Sequence, residues 1–161
     1  MTNRPDTDTL AKSPLGASLE PADCNTLAGV MTTRRLADGE ILIEEGHVDE
    51  ALHVIVSGAL AATRNTAGGG WVVLQLLRRG DIAGQMGFVD GKEHSATLRA
   101  MAETEIYSLR RQAFESLVTK HPELVYQVMR AIVRSVHAIL TRMNLEYVEL
   151  TNYITKQHGR Y

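Results

Sequence analysis

Arg79-Gly80-Asp81-Ile82-Ala83-Gly84-Gln85-Met86-Gly87-Phe88, followed by His94-Ser95-Ala96-Thr97, is the stretch on which the fold turns. Gly80-Asp81 marks a turn, Ile82-Ala83 is a short apolar step, and Gly84 and Gly87 let the backbone close tightly.

On both sides, from Gly39 to Leu109, glycines cut the chain into short runs of Ile, Val and Leu. Glu40-Ile41-Leu42-Ile43-Glu44 closes at Gly46. Leu52-His53-Val54-Ile55-Val56 reads as a buried strand ending at Ser57-Gly58. Ala59 to Arg64 runs toward Gly68-Gly69-Gly70, a hairpin tip, and Trp71 to Leu77 is its partner. Ala96–Ala100 and Glu105–Leu109 complete the set. Short strands at this spacing predict a mainly β sandwich or barrel.

Helical patterning flanks the β region. Pro21 to Val30 predicts a short helix with proline in its first turn. After Leu109 the apolar period changes from 2 to 3.6. Arg110 to Thr119 reads as a short helix with Phe114, Leu117 and Val118 on one face. His121-Pro122-Glu123 then opens a long helix that no glycine or proline interrupts before Gly159. Ile132, Val136, Ile139, Met143 and Leu150 follow steps of 4, 3, 4 and 7, a coiled-coil-like seam. A small barrel cannot cover such a helix, so its far half is expected to meet a second copy of the chain. Tyr147 and Tyr153 are candidates for a lid or for that interface. The expected division is a mobile tail over 1–19, a β-roll with flanking helices over 20–120, the long dimerisation helix over 121–156, and a short tail over 157–161.

The chain has 161 residues, 44% hydrophobic and 22% charged, with 17 basic against 19 acidic side chains and a net charge of −2. That balance argues against direct DNA binding, which normally needs a basic excess to neutralise phosphates. The one cysteine, Cys24, forms no internal disulfide and fits a reducing compartment. The start lacks the apolar core of a secretory signal, and no run reaches the roughly 20 apolar residues of a membrane span. A cytoplasmic location is expected, with no membrane partner.

Three stretches, Gly39 to Gly46, Leu52 to Gly58 and Arg79 to Thr97, resemble in order and spacing the cyclic-nucleotide-binding domain family. That family includes the sensor half of catabolite-activator-type regulators and the regulatory domains of cyclic-nucleotide-dependent kinases and channels. The resemblance spans roughly Leu19 to Met143. It implies a mainly β fold, a β-roll of jelly-roll type, with a short N-terminal helix and a long C-terminal one. The third stretch is similar to the phosphate-binding cassette, whose usual form is G-D-x-x-G-E-L-A/G-L, then a short loop, then R-S-A. The resemblance makes Gly84, Ser95 and Ala96 phosphate-turn contacts, Gln85 the ribose acceptor and His94 the phosphate partner.

Two positions depart from that form. Gln85 stands where the family has glutamate, and His94 where it has arginine. An amide accepts a hydroxyl proton without charge assistance, and an imidazole lacks the guanidinium fork. Together the changes cost about 2–4 kcal/mol of ligand binding, roughly 30- to 1,000-fold in affinity. Gln85 is therefore either a ribose contact or a buried amide tying down the turn. His94 is either a phosphate contact that charges in mild acid or a loop residue at the rim of a disused pocket.

No catalytic constellation stands out. His47 and His53, with Glu44, Glu45, Asp49 and Glu50 nearby, lack the close His-x-His spacing of a cupin-type metal site, and no metal is expected. No cofactor is expected beyond a cyclic nucleotide ligand. About ten residues follow Leu150, too few for a helix-turn-helix. The expectation is a non-catalytic, homodimeric sensor acting in trans on an unidentified protein partner. The alternative is a ligand-free interaction or dimerisation module.

Overall fold

The computed structural model describes residues 3–158. In chain order it contains α1 (Thr7–Ala11), α2 (Pro21–Val30), β1 (Thr32–Leu36), β2 (Ile41–Ile43), β3 (Ala51–Ser57), β4 (Ala59–Asn65), β5 (Trp71–Arg78), β6 (Ile82–Ala83), α3 (Gln85–Asp90), β7 (Thr97–Ala100), β8 (Thr104–Arg110), α4 (Arg111–Glu115) and α5 (Pro122–His158). The strands form two antiparallel four-stranded sheets, ordered β1-β8-β3-β6 and β2-β7-β4-β5. The result is the expected mainly β jelly-roll with flanking helices.

β3 shows why its run is apolar throughout. Leu52 and Val54 face a core shared with the helices, whereas Ile55 faces the core between the sheets. With both faces covered, alternation disappears. β8 lies alongside in register, His53 opposite Ser108, Val54 opposite Tyr107 and Ile55 opposite Ile106. The triple glycine closes the β4–β5 hairpin, where the Thr66 N–H donates to the Gly70 carbonyl at 2.8 Å and Gly69 adopts φ +83°.

Three expectations need correcting. Of the stretch 1–19, expected as a mobile tail, the described residues 3–19 are packed. Asp6 caps α1 by accepting the Thr9 N–H at 2.8 Å, and Leu10 and Leu15 lie in the helix-side core. Isolated leucines in a polar stretch carry no period, so only the tertiary packing reveals them. β1 was also unforeseen, because Thr32-Thr33-Arg34-Arg35-Leu36 buries only Leu36 and takes its place by pairing along β8. Finally, Ile132 is not an interface residue. At 3% exposure it packs in the chain's own core with Leu124, Val128 and Ala131.

From Leu140 to Lys156 every side chain of α5 is exposed. Val136 and Ile139 are half-buried, whereas Met143 and Leu150 are each 57% exposed. The outward row is Tyr126, Val133 and Leu140, all exposed and seven residues apart, and Tyr147 continues it at the edge of the face toward β5. α5 reaches His158, into the stretch expected as a C-terminal tail, and 159–161 lie outside the described residues. Among the described residues no helix is long and apolar enough to cross a membrane.

Candidate ligand-binding site

The cassette is built on two glycines. Gly84 caps α3 in the left-handed conformation, φ +81°. A Cβ there would lie 2.6 Å from the Ala51 carbonyl oxygen of β3. Gly87, one turn on, packs its backbone against the loop before β3, where a Cβ would stand 2.6 Å from the Asp49 carbonyl oxygen and 2.9 Å from His94 Nε2. Side chains at either position would lift α3 off the roll.

Gly84, Gln85, His94, Ser95 and Ala96 line one small cavity of about 120 Å³, with Ile139 of α5 on its far side. Ser95 and Ala96 also line a larger groove of about 920 Å³ between β5 and the far half of α5, with Gln75, Met143 and Tyr147. Ligand pockets usually hold about 300–1,000 Å³. A nucleotide-sized ligand would therefore have to extend from the cassette into the groove.

The Gln85 side chain is buried and bonded on both sides of the cassette turn. It is 8% exposed, and its Nε2 donates to the Ile82 carbonyl at 2.9 Å and to Ser135 Oγ of α5 at 3.1 Å. The cassette and the long helix are thus joined by a direct side-chain bond. No sequence signal marks Ser135 among the hydroxyls of α5.

The His94 ring is turned beneath α3. Its Nε2 is buried without a hydrogen-bond partner, beside Gly87 and the Asp49 side. Burial works to raise the Asp49 pKa. The hydrogen bond from His53 and the charges of His53, His94 and Arg110 outweigh it, holding the carboxyl below its ordinary value. His53, 4% exposed, is clamped between Asp49 Oδ2 at 2.7 Å and Ser108 Oγ at 2.8 Å. Both ring nitrogens are engaged. Among the described residues no group of three or more His, Cys, Asp or Glu could hold a metal ion.

The geometry agrees with what known proteins show. The family model for the cyclic nucleotide-binding domain matches residues 33–121, more than half of the chain, and the chain belongs to that family. It is 27% identical over 122 residues to the cyclic AMP receptor protein of Thermus thermophilus, covering 76% of this chain and 56% of that one. It is also 27% identical over 117 residues to the cAMP-activated global transcriptional regulator CRP of Salmonella typhimurium, covering 71% and 56%. The chain spans about half the length of these curated relatives. Among solved structures, the catabolite activator protein of Thermus thermophilus superposes with TM-score 0.70 at 27% identity, over 86% of this chain and 63% of that one. A cyclic nucleotide-binding domain from Methylobacillus flagellatus shares the fold with TM-score 0.79 at 19% identity, over 91% and 83%.

Proposed function

We propose that this protein is a non-catalytic regulatory module whose cassette takes a small anionic ligand of the cyclic nucleotide class, weakly, and whose α5 carries the bound state to a protein partner. The observation that supports it is the glycine-built cassette, whose turn, Ser95 and Ala96 line one cavity opening toward the groove. Gln85 provides the link. A ligand hydroxyl that donated to Gln85 Oε1 would reorient the amide whose Nε2 bonds Ser135, and the hold on α5 would change with it. The outward apolar row of α5 serves a homodimer. The net charge of −2 favours action through another protein over direct contact with DNA.

A second reading has an observation of its own. The cavity is small and the Gln85 Nε2 is already bonded to Ile82 and Ser135, as in a ligand-free interaction or dimerisation module. Thermal unfolding with millimolar cyclic AMP, cyclic GMP and cyclic dinucleotides separates the two. A ligand at 100 times its Kd adds about 2.7 kcal/mol, a shift of several degrees. Absence of any shift at pH 6 and at pH 7.5 would remove the sensor reading. The double change Gln85→Glu with His94→Arg is expected to enlarge the shift for a cyclic mononucleotide.

A further inference from the structure

We propose that a second cavity, enclosed by the N-terminal segment, the β5–β6 turn and α5, is a binding site for a small amphipathic anion, an apolar body carrying a carboxylate or phosphate head. The cavity holds about 430 Å³, within the range of small-molecule sites. Its floor is apolar, formed by Leu77, Ile82 and Ile139. On α5, Arg134, Ala138 and Arg142 follow one another at four-residue steps on one face. The small Ala138 leaves space between the two arginines, and all three line the cavity.

The charges at this site lack an internal counterpart. Arg134 Nη1 donates to Ser18 Oγ at 3.2 Å, and neither Arg134 nor Arg142 has a carboxylate partner among the described residues. The one carboxylate lining the cavity, Asp81, is committed to its own turn, where Oδ2 accepts the Arg78 N–H at 2.8 Å. Guanidinium groups are weakly hydrated and match carboxylate and phosphate oxygens with two parallel donors. Two of them beside an apolar floor select a ligand that is greasy at one end and anionic at the other. The roof is equally built. Pro14, Ala17 and Ser18 cover the cavity, and the segment is pinned by buried Leu10 and Leu15. Gly16 lies so close beneath the Leu10 carbonyl that a side chain there would collide with it.

The site adjoins the cassette, with Leu77, Ile82 and Ile139 lining both cavities and Arg142 also lining the larger groove, but Arg134, Ala138 and the roof of Pro14, Ala17 and Ser18 line this cavity and neither of the other two. Isothermal titration of the full chain with decanoate and decyl phosphate, each below its critical micelle concentration, tests it. Decanol, acetate and inorganic phosphate serve as the half-ligands. The expected result is saturable 1:1 binding of at least one amphipathic anion, with each half-ligand at least tenfold weaker. The stronger of the two anions identifies the head group. Arg134→Gln and Arg142→Gln should each weaken binding severalfold. Ala138→Phe, which fills the cavity from an exposed helix position, should abolish binding while leaving the ligand-free melting temperature within a few degrees. Absence of saturable binding by either anion would overturn the proposal. So would equal binding by decanol, or undiminished binding to the Ala138→Phe chain.

Discussion

At the scale of single residues the cassette depends on what Gly84 lacks. A side chain would have to adopt a left-handed backbone and crowd the Ala51 carbonyl. Gly84→Ala should therefore cost about 2 kcal/mol or more in denaturant unfolding. A loss near zero would mean that the turn relaxes freely. Asp49 makes a prediction about pH. Its folded pKa lies below the ordinary 3.8, so the unfolded chain takes up the proton more readily. The stabilisation is complete above the unfolded value and is lost as pH falls through the folded one. Asp49→Asn should flatten the fall in stability between about pH 5 and pH 3. An acid limb as steep as that of the natural chain would contradict the His53–Asp49 arrangement.

At the scale of elements, α5 carries two apolar faces about 100° apart, one residue of helical rotation. Ile132 belongs to the inward face and Leu140 to the outward one. Ile132→Ala should destabilise the protomer by about 2–5 kcal/mol. Leu140→Ala should leave protomer unfolding nearly unchanged and weaken self-association in sedimentation or light scattering. Reversed outcomes would exchange the faces. Both faces are apolar at helical spacing, and this is why the seam read from sequence mixes Ile132 with Met143 and Leu150. Strands β2, β3, β4, β5, β7 and β8 are legible because glycines and turns punctuate their apolar runs. β1 is not, since a polar edge strand such as Thr32-Thr33-Arg34-Arg35 owes its position to β8. In the site, Gly84, Gln85, Ser95 and Ala96 are legible from the motif. The turn of His94 beneath α3 and the Gln85–Ser135 bond depend on how α3 and α5 dock, which no local pattern encodes.

At the scale of the whole molecule, the roll is clasped by its own ends. The N-terminal segment lies along the helix-side core, and its Asn3 carbonyl accepts the Thr33 N–H of β1 at 2.8 Å. Arg134 of α5 reaches back to Ser18 of that segment. Leu15→Ala, cutting one anchor, should lower overall stability by about 2–5 kcal/mol. The clasp also gives the protein a gauge of its own motion. The single thiol, Cys24, is 1% exposed and rests 3.6 Å from the Thr7 carbonyl oxygen, under the segment. Burial first, then the charge of Asp8, pushes its pKa up, so the closed protein reacts slowly with alkylating reagents. Labelling that outpaces global unfolding therefore counts excursions of the N-terminal segment away from α2. Without any added dye or engineered site, the rate of thiol capture becomes a clock for how often the clasp lets go.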